Sequence, residues 1–175
     1  MSLGRPAEEV VLDTKWFQIV ARHPPAYSEP HYSIRTRDYV AVVAVNLKGE
    51  LLLVRQFRPA VWATTLELPS GHVEPGQTPE EAARAELLEE TGHEAERFEL
   101  LGDFSPDTGR LGNRMWCFFA GDAVPTRNPA HQAEPGIDFV LHQGSLRELL
   151  REDGFYSALN CAALFAAVLQ GKLQI

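Results

Sequence analysis

An α+β fold with mixed sheets is predicted for this chain by three observations. Runs of β-branched and apolar residues dominate the first seventy positions, one long helix signal follows in mid-chain, and further strand signals precede two helical segments at the end. That order differs from the regular strand–helix alternation of a doubly wound fold. With 175 residues, 45% of them hydrophobic, the chain has the size of one domain with a substantial core.

The elements follow in chain order. "VVLDTKWFQIVA" and "HYSIRT" read as strands separated by the proline-containing link "RHPPAYSEP". "YVAVVAVNL" and "ELLLVRQF" are apolar β-branched runs, with Lys48-Gly49 marking a hairpin between them. "TTLELPSG" is a short strand ending in a Pro/Gly loop. A helix is predicted over 79–91: Thr78 supplies the cap, Pro79 the first helical position, Glu81 the capping-box partner and Gly92 the left-handed stop. "RFELLGDF", "NRMWCFFAG" and "IDFVLH" give three more strands. Ser145 and Glu148 start a helix in "SLRELLRED", and "YSALNCAALFAAVLQG", interrupted by Asn160, closes the chain as an amphipathic helix ending at Gly171.

Composition narrows the function. The formal net charge is -8, and between Glu74 and Glu99 nine acidic residues accompany only Arg84 and Arg97. An excess so localised, with no basic face, argues against a nucleic-acid backbone as partner. The longest apolar run, "ALFAAVL", falls short of the roughly 20 residues of a membrane span. The polar start "MSLGRPAEEV" carries no secretory signal, and Cys117 and Cys161 sit in apolar surroundings without metal-like spacing. These features predict a soluble cytoplasmic protein with reduced thiols.

Glu86, Glu89 and Glu90 lie at the carboxyl end of the mid-chain helix, within an arc of about 100°. Mutual repulsion there, if the groups are partly buried, reaches roughly 3 kcal/mol per pair at about 5 Å and an effective dielectric of about 20, and the helix dipole adds to it. Two accounts stand: a solvated acidic face, or carboxylates offset by a hard divalent cation.

The segment "GHVEPGQTPEEAARAELLEETGH", residues 71–93, resembles the signature of the Nudix hydrolases, G-x5-E-x7-R-E-U-x-E-E-x-G-U with U aliphatic. Gly71, Glu86, Leu87, Glu89, Glu90 and Gly92 match; Gln77, Ala85 and His93 stand where Glu, Arg and an aliphatic residue are expected. The expected Glu and Arg support the helix in the family, and here both charges are absent together; Arg84 lies about 100° further round the helix and is a poor substitute. "LLLVRQFRPAVWATTLELPSG", "KWF" and "SPDTG" are similar to the ADP-ribose pyrophosphatase branch.

This resemblance implies a Nudix-type α/β/α sandwich over 38–175, preceded by antiparallel strands over 1–37 that serve dimerisation. It implies Mg²⁺, with Mn²⁺ as the other option, and cleavage of ADP-ribose or a related nucleotide sugar by a homodimer. Glu86 and Glu90 would be direct metal ligands, Glu89 would share a second ion, and the Ser70 carbonyl would add an oxygen. Glu134 is the candidate general base, with Asp138 and Glu89 as alternatives. Arg55 and Arg58 are candidates for phosphate binding, although Arg55 also reads as a surface-strand charge. Trp16 is either a stacking partner for adenine or a sheet-packing residue. Another nucleoside diphosphate sugar such as GDP-mannose, or a binding module without turnover, remains as an alternative function.

Overall fold

A computed structural model describes residues 8–128 and 134–175. A three-stranded antiparallel sheet comes first: β1 (Glu8–Asp13), β2 (Gln18–Arg22) and β3 (His31–Arg35), in the order β1-β2-β3. The expected single strand through "VVLDTKWFQIVA" is therefore two, because Thr14 folds the chain back on itself. Its Oγ1 accepts the N–H groups of Trp16 (3.2 Å) and Phe17 (2.9 Å), and its own N–H donates to the Phe17 carbonyl at 3.1 Å. A threonine hydroxyl placed to satisfy nearby backbone groups turns the chain where the apolar pattern alone runs on.

The main sheet runs β11-β5-β4-β10-β8, with β6 paired to β5, β7 to β4 and β9 to β10. Its strands are β4 (Tyr39–Asn46), β5 (Leu51–Arg58), β6 (Ala63–Glu67), β7 (Ser70–His72), β8 (His93–Glu94), β9 (Glu99–Phe104), β10 (Met115–Pro125) and β11 (Ile137–His142). β10 extends beyond the "NRMWCFFAG" expectation, to Pro125. It lies parallel to β4, whereas β9 pairs antiparallel with β10, so the sheet is mixed as predicted.

Alternation along β4 builds a core on each face of the sheet. Val40, Val42 and Ala44 pack with Leu52 against Ala82, Ala83 and Leu87 of α1 (Pro79–Thr91). Ala41 and Val43 join Leu53 and Cys117 against Ala163, Leu164 and Ala167 of α3 (Ala158–Leu169). Complete burial of a leucine such as Leu87 contributes about 1.5–3 kcal/mol, which fixes the orientation of α1 on its face. The short α2 (Leu146–Leu149), capped by Ser145 and Glu148 as expected, spans less than its "SLRELLRED" segment. The result is an α/β/α sandwich. Ile34 ties the small sheet to it, donating to the Arg110 carbonyl at 2.7 Å and accepting from Gly112 at 3.2 Å.

Cys117 is buried and Cys161 half-buried, and both are free thiols. No helix among the described residues is long and apolar enough to cross a membrane.

Candidate active site

Helix α1 begins and ends on local chemistry. The Thr78 side chain accepts the Glu81 N–H, Glu81 reaches back to the Thr78 N–H at 2.7 Å, and Gly92 stops the helix with φ 67°. Its carboxyl end meets strand β7, which pairs with β4 through Ala41–Ser70, Val40–Gly71 and Tyr39–His72. That pairing holds the backbone of Ser70 and Gly71 against the glutamates of α1.

The three helix glutamates occupy different environments. Glu90 is buried, Glu86 half-buried and Glu89 exposed. The Ser70 N–H donates to Glu90 Oε2 at 2.8 Å. Glu86 fills the space beside Gly71, where an added Cβ would overlap its carboxylate. Burial pushes the Glu86 carboxyl up to about 7, with the charges of Glu89, Glu134 and Glu74 adding to the shift. Burial likewise pushes Glu90 up to about 8; the Ser70 N–H and Arg58 oppose this, while Glu86 and Glu134 reinforce it.

A proton held more tightly in the folded than in the unfolded chain makes stability fall as pH rises between the two titrations. Here that window runs from the ordinary 4.5 up to about 8. In EDTA, Tm is accordingly expected to drop by on the order of 5 °C between pH 5 and pH 8, with Mg²⁺ restoring part of the loss at pH 8. A flat thermal-unfolding profile in both conditions would contradict this assignment of the charge strain.

These residues open onto a cavity of about 820 Å³, which Ser70, Gly71, Glu86, Glu89, Glu90 and Glu134 help to line. Arg58 lines it too, donating to Glu67 through Nε at 3.0 Å and Nη2 at 2.7 Å. Arg55 does not line the cavity; an odd spacing of three along β5 puts it on the opposite face from Arg58, where it lies 3.9 Å from Glu152. Asp138 pairs with Arg55 in the β5–β11 ladder and is also outside the cavity lining. Trp16 sits at the tip of the β1–β2 turn, 67% exposed with Lys15 Nζ 4.6 Å from its ring, so sheet packing does not account for it. Part of the "HQAEPGIDF" loop, residues 131–133, lies outside the described residues.

Each departure from the signature has a local role. Gln77 Oε1 accepts the Glu74 N–H at 3.0 Å and closes the turn before the helix. Ala85 lines the cavity. Arg84 points elsewhere: it donates to the carbonyls of Ala95 (3.0 Å) and Glu96 (3.1 Å) and covers the Phe98 ring at 4.4 Å. Buried His93 packs at a tilt against Phe139 with ring centroids 4.8 Å apart and donates from Nδ1 to the Thr91 carbonyl at 2.7 Å. An imidazole thus fills an aliphatic position with its polar atom satisfied.

Tyr39, Gln56 and Asn160 are among the lining residues that the sequence reading did not assign to the site. Gln56 was legible from its even spacing to Arg58 on β5, and Asn160 from being a polar interruption of an apolar helix.

Among the described residues, no group of three or more His, Cys, Asp or Glu side chains is close enough to hold a metal ion as placed. The donor chemistry nevertheless fits a hard divalent cation. Two carboxylates raised by burial and mutual repulsion supply the oxygen ligands that Mg²⁺ and Mn²⁺ favour.

Comparison with known proteins puts this mixed-sheet sandwich, whose helix end presents glutamates to a cavity beside a short glycine-bearing strand, in the class of pyrophosphohydrolases acting on nucleotide and nucleotide-sugar substrates. The chain belongs to the NUDIX domain family, whose profile matches residues 35–157. It is 33% identical over 143 residues to a methanol dehydrogenase activator of Bacillus methanolicus, covering 81% of this chain and 77% of that protein. An ADP-ribose pyrophosphatase of Bacillus subtilis (strain 168) is 40% identical over 46% of this chain and 44% of its own length. An ADP-sugar pyrophosphatase of Mus musculus is 35% identical over 59% of this chain and 54% of its own. The crystal structure of an ADP compounds hydrolase shares the fold, with a TM-score of 0.77 at 24% identity over 99% of this chain and 100% of that one.

Proposed function

We propose that the protein hydrolyses the pyrophosphate bond of ADP-ribose or a related nucleotide sugar with Mg²⁺ or Mn²⁺, releasing a nucleoside monophosphate and a sugar phosphate. The observation that carries this reading is the pair Glu86 and Glu90, gathered beneath Ser70 and Gly71 at the cavity with their carboxyls raised by burial. Similarity to an ADP-ribose pyrophosphatase and an ADP-sugar pyrophosphatase supports the substrate class.

Glu86 and Glu90 would hold the metal, with Glu89 and the Ser70 carbonyl as further oxygens. When bound, the ion supplies charge neutralisation and polarisation of the phosphoryl oxygens. Glu134, on the cavity wall, takes the proton from water as the water oxygen bonds to one phosphorus. The bridging P–O bond breaks and its electron pair leaves with the other phosphate. Arg58 brings positive charge to the phosphates while Glu67 fixes its guanidinium. On this reading Trp16 offers an indole face to the adenine of a second copy. Pairing of two copies through the N-terminal strands, residues 1–37, is supported by β1, an edge strand exposed at all six positions, including Val10, Val11 and Leu12.

The test is nucleoside monophosphate release across a substrate panel, AMP from ADP-ribose and GMP from GDP-mannose, each at several concentrations of Mg²⁺ and Mn²⁺. Highest kcat/KM on ADP-ribose is expected; absence of turnover by folded protein at every ion sinks the reading. A second reading, a nucleotide-binding module with weakened catalysis, is motivated by Gln77 and Ala85. Gln77→Glu combined with Ala85→Arg is expected to raise kcat/KM about tenfold through better support of the metal-binding helix. Unchanged kinetics in the double variant would show that the missing pair is immaterial.

A further inference from the structure

Some of the polar groups that line the cavity have no hydrogen-bond partner among the described residues. Asn160 is only 4% exposed, and its Nδ2 has no hydrogen-bond partner. Gln56 Nε2 and the Tyr39 hydroxyl are also buried and unpartnered, and all three residues line the cavity. They come from separate elements, α3, β5 and β4. Asn160 is in the first turn of the twelve-residue α3, whose N-cap Ser157 also lines the cavity. The amino end of that helix therefore favours oxygen-rich, electronegative groups in the same place.

Leaving buried donors unpaired is costly in a free protein, and a ligand that supplies acceptors removes the cost. Resting on the nucleotide-sugar reading above, we infer that Asn160, Gln56 and Tyr39 form a subsite that recognises the hydroxylated sugar of the substrate through its oxygens. The alternative occupant is the base. An adenine edge presents a ring-nitrogen acceptor beside an amine donor, which cannot satisfy two amide donors and a phenol together. Vicinal sugar hydroxyls offer several oxygens that accept and also donate.

The test compares wild type with Asn160→Leu and Gln56→Met, which remove one amide donor each from different elements at similar side-chain volume. Substrates are ADP-ribose, its inosine-containing counterpart, and the methyl ester of ADP, which keeps the nucleoside and the diphosphate and lacks the terminal ribose. Either variant is expected to lower kcat/KM about tenfold or more on both substrates that carry the terminal ribose and no more than about twofold on the methyl ester. Removing a buried unpaired donor should also raise Tm by about 2–4 °C, so a fold defect does not mimic the result. Equal losses on all three substrates, a loss that follows the base, or unchanged kinetics would overturn the inference. If wild type cleaves none of the three, the reaction reading fails separately, and ribose 5-phosphate binding by calorimetry decides the subsite. Binding weakened about tenfold by Asn160→Leu supports it, whereas equal binding or none overturns it.

Discussion

Glu90→Gln is expected to lower kcat/KM on ADP-ribose by on the order of 10³-fold while raising the Tm of the metal-free protein. Both effects come from the same carboxylate. Glu90 is 5% exposed and receives the Ser70 N–H at 2.8 Å. Glutamine keeps an oxygen for that hydrogen bond and nearly the same volume, so packing against Ser70 is preserved. It removes the charge that burial, Glu86 and Glu134 all disfavour. At pH 8 the variant should therefore gain about 2 °C or more in Tm in EDTA, and lose the stabilisation that Mg²⁺ gives the wild type. Glu89→Gln should cost less activity, since Glu89 is exposed and shares the burden with solvent. The measurements are steady-state turnover and thermal unfolding with and without Mg²⁺. A Glu90→Gln protein that retains activity within tenfold, or that melts earlier without metal, contradicts the assignment of Glu90 to cation binding.

The parts of this site that the sequence made legible are those fixed by neighbours in the chain. Thr78, Pro79, Glu81 and Gly92 set both ends of α1 through contacts within four residues, and the helix is found from Pro79 to Thr91. The Lys48-Gly49 turn was legible for the same reason, with Gly49 at φ 78°. What the sequence left open depends on pairing across distance. Strand β7 presses Ser70 and Gly71 on the helix because of its register with β4, some thirty residues earlier. The separation of Arg55 from Arg58 follows from strand periodicity, but which of them faces the cavity is decided by the packing of β5 in the sheet. The hairpin at Thr14 was hidden by apolar alternation that continues through the turn. Similarly, the equal spacing of three glutamates on one arc carries no information about depth. The sheet beneath α1 buries Glu90, half-covers Glu86 and leaves Glu89 in water.

Gly71→Ala should separate the site from the fold. Gly71 pairs with Val40 of the buried strand β4 through the three-residue β7, and that pairing holds its backbone in register beside the helix. A methyl group there would occupy the volume of the Glu86 carboxylate, and the flexible end of that side chain is what gives way. The penalty therefore falls on the position of a ligand oxygen, and the core packing of Leu87 and Ala83 on the same helix is untouched. A displacement of about 1 Å in such a group costs on the order of 10²-fold in rate, so kcat/KM should fall by that factor while Tm changes by no more than about 2 °C. Coupling to Glu86 is what distinguishes this cause from a general loosening of the loop. In a Glu86→Ala background the methyl group has nothing to displace, and adding Gly71→Ala should lower activity no further, giving a strongly non-additive double-mutant cycle. Additive losses in that cycle, or an unfolded Gly71→Ala protein, would mean that the glycine serves the backbone and not the space its neighbour's carboxylate needs.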